Sequence, residues 1–138
     1  MAHTPFTAEV LTPEGSIFNE EVELVSTMTT VGSIGIMAGH EPVLARLEPT
    51  ELRLYRSESE IVRYAQAEGY LQVAQGRVLV LVEEAVEPSR LDAAQLQDRV
   101  LTARHALEAA EASSEQAARA QADLRRAEAF LALAQNAR

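Results

Sequence analysis

The place where glycine and proline stop is the strongest constraint on this chain. All six Gly and all five Pro lie at or before Pro88. Residues 89–138 contain neither, and sixteen of those fifty are Ala. Gly and Pro punctuate turns, whereas Ala is the best helix former. The chain therefore reads as two units, a turn-rich 1–88 and a helix-rich 89–138. Charge divides at the same place. Residues 1–88 hold fourteen acids and five Arg, and residues 89–138 hold seven of each, so the first unit carries the whole net charge of −9.

The first unit reads as strands. Period-two patterning and turn signals predict them over 6–11, 16–19, 22–27, 43–47, 51–56, 61–67, 70–74 and 77–83. The run Val78–Val82 is apolar throughout and predicts a strand buried on both faces. Short strands at regular spacing point to an antiparallel sandwich or barrel. Between the third and fourth predicted strands lies Gly32-Ser33-Ile34-Gly35-Ile36-Met37-Ala38-Gly39-His40-Glu41-Pro42-Val43-Leu44-Ala45. Its glycines permit positive φ, and Pro42 fixes its own backbone and extends Glu41. Ile34, Ile36 and Met37 give this loop apolar surface, which suits docking against a protein better than chemistry.

The second unit reads as two helices. Ser89 is expected to cap the first, with Asp92 completing a box-like start. Ala93, Leu96, Val100, Ala103, Leu107 and Ala110 form one seam. Ser113 and Gln116 mark a second start, and Ala117, Ala120, Leu124, Ala127, Leu131 and Ala134 form the second seam. Joined by a short link, they fold back as an antiparallel helical hairpin. An Ala-rich seam buries little area, so the hairpin is weakly held and suits a moving part.

Composition excludes several functions. The chain has no Cys, hence no thiolate chemistry and no disulfides. Its basic residues are all Arg, which removes Schiff-base chemistry. The acidic balance argues against nucleic acid. No apolar run reaches the roughly 18 residues that span a bilayer, so direct membrane insertion is not expected. Residues 1–5 have neither the basic nor the apolar region of an export signal. His3, His40 and His105 lack ligand spacing, so no metal site is expected. His105 is expected on a solvated helix face, and His40 to fix its loop or touch a partner. The acid pairs Glu20-Glu21 and Glu83-Glu84 point to opposite strand faces, and no catalytic cluster is legible. The hairpin's cations, Arg90, Arg99, Arg104, Arg119, Arg125, Arg126 and Arg138, read as solvated faces with intrahelical pairs.

The pattern G-x-[IL]-G-I-x-x-G-H-x-P-[LV]-[LV]-A over Gly32–Ala45 resembles the epsilon subunit of the F-type ATP synthase. Val10-x-x-Pro13-x-Gly15-x-x-Phe18, Leu47-x-Pro49-x-x-Leu52-Arg53 and Gly69-Tyr70-Leu71-Gln72-Val73 extend the resemblance over essentially the whole chain. Ala38 stands where the family usually has Pro, Thr50 where Gly is common, and Glu68 in the first place of a usual Gly-Gly. The resemblance implies an N-terminal sandwich of about ten short antiparallel strands plus a C-terminal helical hairpin. It implies a non-catalytic subunit of the central stalk, one copy in a hetero-oligomer on the cytoplasmic face of the bacterial membrane. This subunit couples c-ring rotation to ATP synthesis through gamma. Thr29, Thr30, Val31, Gly32 and Ser33 match the c-ring-facing loop, and Met37, His40, Pro42 and Val43 the gamma-facing part. The hairpin, extended toward the catalytic alpha/beta hexamer, would block ATP hydrolysis. Some members hold ATP through [IL]-D-x-x-R-A. Here Leu91 and Asp92 match, Gln95 replaces the Arg, Leu96 replaces the Ala, and on the second helix Arg126 matches while Phe130 replaces another Arg. No cofactor is therefore expected, and ATP binding by this chain alone is expected to be weak or absent. The alternative is a free-standing protein-interaction module with a helical hairpin. A small jelly-roll enzyme is a further rival, which would need a cluster of His or carboxylates.

Overall fold

A computed structural model describes residues 3–136. Arg138, among the cations above, lies outside them. The chain forms two compact units, divided between Glu87 and Pro88.

In the first unit ten strands form one curled sheet. They are β1 Phe6–Thr12, β2 Gly15–Val22, β3 Leu24–Thr29, β4 Gly32–Ile36, β5 Val43–Leu47, β6 Thr50–Tyr55, β7 Ile61–Gln66, β8 Gly69–Ala74, β9 Arg77–Val82 and β10 Ala85–Val86. The spatial order is β10-β7-β6-β3-β5-β8-β9-β1-β2, and β4 pairs with β3. Alternation places Phe6, Ala8 and Val10 of β1, Leu52 and Leu54 of β6, Leu71 and Val73 of β8, and Val78, Val80 and Val82 of β9 in one core. Gln66 is a polar residue at full burial. Its Nε2 donates to the Glu48 carbonyl at 2.9 Å and its Oε1 accepts from Thr27 Oγ1 at 2.8 Å, so its burial leaves no group unsatisfied.

Three expectations change. The opening part of the glycine loop is not a loop but strand β4, because residues 32–36 fold back on 25–29 through the two-residue turn Thr30-Val31. Among the described residues β1 and β9 pair in parallel, whereas the other pairings are antiparallel. The run Val78–Val82 is buried on one face only: Leu81 is exposed and Leu79 half-buried. Pattern alone does not distinguish a second core from an apolar outer face.

In the second unit a 3-10 turn, Pro88–Arg90, precedes helices α1 Ala93–Ala109 and α2 Glu115–Asn136. Asp92, not Ser89, caps α1. Its carboxylate accepts from the N–H groups of Ala94 and Gln95 at 2.9 and 3.2 Å, satisfying two orphan donors. Ser114, not Ser113, caps α2 by accepting from Ala117 N–H at 3.0 Å. Ser113 instead takes a positive φ of 63° in the link. Both seams form as the stepping requires: Val100 and Ala103 meet Leu124 and Ala127, with Leu107 and Leu131 at their flanks. Arg104 reaches Glu128 across the pair at 3.5 Å. His105 is exposed.

Candidate functional site

The β3–β4 hairpin builds its tip from four consecutive local decisions. Gly32 takes φ 132°, a value L side chains rarely adopt. Thr29 is buried, and its hydroxyl donates to the Gly32 carbonyl at 2.8 Å while accepting from Val31 N–H at 3.2 Å. Thr30 N–H donates to the Arg46 carbonyl at 3.0 Å, tying the tip to β5. Val31 is left almost wholly in solvent, at 95% exposure. Of the five residues matched to a ring-facing loop, Thr29 is therefore the internal brace. Thr30, Val31, Gly32 and Ser33 are exposed.

The segment after β4 turns sharply. His40 N–H donates to the Met37 carbonyl at 3.1 Å, closing a four-residue turn with Gly39 at φ 82° in its third position. That is type II geometry, which wants Gly there and favours Pro one place earlier, at Ala38. The His40 ring folds onto its own chain, Nδ1–H donating to the Glu41 carbonyl at 2.7 Å. Met37, His40 and Pro42 are exposed, while Val43 turns inward against the core.

The outer face of β5-β8-β9 also carries exposed apolar side chains. Leu44 is 70% exposed and Tyr70 48%. Tyr70 lies directly opposite Leu81 on β9 and Arg46 on β5, and Leu44 is opposite Gln72, one step along the same face. Three large apolar side chains on adjacent strands thus share an outer face with polar neighbours, the composition of an interface core and rim. Sequence reading did not single out Tyr70 and Leu81. The signal for Leu81 was the unbroken apolar run of β9, read as double burial.

At the positions resembling an ATP motif, Asp92 uses its Oδ1 for the α1 cap, and Gln95 is exposed beside it. Leu91 and Arg126 are half-buried, and Phe130 is fully buried. Elsewhere on the first unit, Arg56 donates to both Glu20 oxygens at 2.8 and 2.9 Å and to Glu60 at 3.2 Å, and it lies 5.8 Å from the centre of the Phe18 ring. These hydrogen bonds, helped by the Arg56 charge and opposed by slight burial, hold the Glu20 carboxyl below its ordinary value. Burial pushes Tyr64 up. Among the described residues no group of three or more His, Asp or Glu is arranged to hold a metal.

Residues 5–88 match the family model for the ATP synthase delta/epsilon chain beta-sandwich domain. The chain belongs to the ATP synthase epsilon family. An ATP synthase epsilon chain of Herpetosiphon aurantiacus is 34% identical over 94% of each chain. The corresponding chain of Halalkalibacterium halodurans is 35% identical over 92% of this chain and 90% of its own. That of Persephonella marina reaches 42% over 61% and 62%. Two solved assemblies share the epsilon fold. A chain of the Euglena gracilis mitochondrial ATP synthase, in a structure of OSCP, F1 and c-ring, superposes with TM-score 0.78 at 21% identity, covering 96% of this chain and 83% of its own. A chain of the Tetrahymena thermophila central stalk and c-ring gives 0.65 at 14%, covering 99% and 98%. No helix among the described residues of this epsilon-family chain is long and apolar enough to cross a membrane.

Proposed function

We propose that this chain is a non-catalytic rotor subunit of a bacterial ATP synthase. It sits peripherally on the cytoplasmic face of the membrane and couples c-ring rotation to ATP synthesis through gamma. The observation that carries this reading is the outward apolar surface of the sandwich. Met37, Leu44, Tyr70 and Leu81 occupy one loop and one sheet face, and Val31 projects from a braced hairpin tip. Such side chains are costly in water and become favourable once a protein covers them. The tip is rigid because Thr29 and Gly32 lock it, which suits a part that transmits force rather than one that adapts. By this reading Thr30–Ser33 face the c-ring and Met37–Val43 face gamma.

The hairpin is the regulatory part. Its seam is Ala-rich: Val100, Ala103, Leu124 and Ala127 meet at the centre, and Leu96, Ala120 and Phe130 are the other buried apolar residues over about thirty ångströms of helix. Such an element changes partners at low cost, and contact with the catalytic hexamer would bias it toward an inhibitory form. ATP has no part in that choice. Gln95 lacks the guanidinium fork for a phosphate, and the Asp92 carboxylate is engaged by the helix cap. A titration of the isolated chain with ATP into the millimolar range is expected to give no saturable signal.

The test is ATP hydrolysis by the assembled catalytic complex, with the full chain and with residues 1–88 alone. Truncation is expected to raise hydrolysis several-fold while gamma binding persists. Unchanged hydrolysis would remove the inhibitory role and leave the helices a passive brace.

A further inference from the structure

β10 is the last element of the sandwich before the hairpin, and it is held along one edge. Its residues Ala85 and Val86 pair with Gln66 and Ala65 of β7. Among the described residues its other edge carries no strand. Just before it, Ala67 N–H donates to the Glu84 carbonyl at 2.8 Å and Glu83 N–H to the Glu68 carbonyl at 3.2 Å. Ala85 and Val86 are only half-buried. β7 is fixed far more firmly. It pairs with β6 all along Ile61–Gln66, and the buried Gln66 side chain ties it to Glu48 and Thr27. Separating the two strands therefore moves β10 and leaves β7 in place. Short edge segments of this kind open well below the free energy of global unfolding. Glu87 follows, and Pro88 begins the second unit. Pro has no N–H, so the ladder cannot continue through it.

We propose that β10 is a latch on the hairpin: paired with β7 it keeps the linker short, and peeled away it lengthens the linker for the inhibitory form. This rests on the inhibitory reading above and adds the element that gates it. While β10 is paired, the chain between the sheet and the Asp92 cap is residues 87–91. Peeling adds Glu83, Glu84, Ala85 and Val86, about 13 Å of contour. The coupling is reciprocal. Whatever holds the hairpin in its inhibitory form must also open β10, and tighter pairing of β10 must weaken inhibition.

The chain has no Cys, so an introduced pair closes one disulfide. Ala65 and Val86 are directly paired, and antiparallel partners lie about 4.5–5.5 Å apart at Cα, which a disulfide accepts. The full chain carrying Ala65→Cys and Val86→Cys is assembled into the catalytic complex, and ATP hydrolysis is read oxidised and reduced. Thr7→Cys with Glu21→Cys, which joins β1 to β2, is the control. Oxidation of the latch pair is expected to raise hydrolysis several-fold, to the level seen with residues 1–88 alone. Reduction is expected to restore the parent rate, and the control to keep it in both states. A parent-like urea midpoint and loss of free thiols establish that each pair folds and closes. The unaltered chain gives a second readout. Its Ala67 amide is expected to exchange roughly tenfold faster in the inhibited complex than in the free subunit. If truncation raises hydrolysis but the oxidised latch pair inhibits like the parent, the latch is refuted and the inhibitory reading stands. An Ala67 amide equally protected in both states refutes it as well. If truncation leaves hydrolysis unchanged, both readings fall.

Discussion

Replacing Gly69 by Ala should unfold the sandwich far more readily than the size of a methyl group suggests. Gly69 opens β8 and lies opposite Val82 of β9. A Cβ there would stand 2.8 Å from the Val82 Cα and 2.9 Å from the Leu81 carbonyl carbon, with the Leu81 carbonyl oxygen closer still. These are backbone atoms, so no rotamer change relieves them. Carbon atoms rest near 3.5–4.0 Å, so the β9 backbone must retreat by about 1 Å. That displacement breaks the Gly69–Val82 pairing and the bond from Glu83 N–H to the Glu68 carbonyl, 3.2 Å long. Two lost hydrogen bonds at about 1 kcal/mol each and overpacking of about 1–3 kcal/mol give a cost of about 3–5 kcal/mol. Gly39→Ala is the contrast. Nothing lies within 4 Å of the added Cβ, and only its φ of 82° is adverse. That costs about 1–2 kcal/mol. All three Tyr lie in the first unit and there is no Trp, so tyrosine fluorescence in urea follows the sandwich alone. With a slope of about 1–3 kcal/mol per molar, Gly69→Ala should lower the midpoint by about 2 M and Gly39→Ala by less than about 1 M. Equal shifts for the two variants, or a Gly69→Ala shift below about 0.5 M, would refute the steric argument.

Two further outcomes follow from the same geometry. Ala38→Pro places Pro at the second position of a type II turn whose third is Gly39, and should raise sandwich stability by about 0.4–1 kcal/mol in the same urea assay; a loss would mean that the turn needs the Ala38 N–H. Because Arg56 depresses the folded-state value of Glu20, the pair stabilises above the ordinary carboxylate value of 4.5, and that part is lost as pH falls through the depressed value. Both side chains are well exposed, so the effect on stability is small, and its clearest readout is the Glu20 carboxyl titration by carbon NMR. The midpoint should lie below the ordinary value and return to it in Arg56→Ala; a midpoint at or above it in the parent chain would discard the pairing.

The Gly39-His40-x-Pro42 stretch was legible as a shaped loop because Gly and Pro act on the backbone locally, and the turn closed by His40 and Met37 is what they dictate. The helix seams were legible for the same reason: a period of 3.6 needs no knowledge of the partner. The caps were misread at Ser89 and Ser113 because each has another capping residue within three positions, and only the path of the chain selects between them. Strand β4 was missed because Gly32 and Gly35 look like loop residues, whereas pairing with β3 supplies the hydrogen bonds that offset their entropy.

By itself the sequence determined the division at Pro88, the two kinds of unit, the family and the shaped turn at Gly39–Pro42, since each is written in local composition or in a contiguous motif. Tertiary structure alone decided the rest. It gathered Phe6, Ile36, Val73 and Val78 in one core from four different strands. It turned Leu44, Tyr70 and Leu81 to the same outer face, and it brought the Leu81 backbone so close to Gly69 that no side chain fits. The physical reason is that a strand's pattern states which residues share a face, while cross-strand register and the curl of the sheet determine what that face meets.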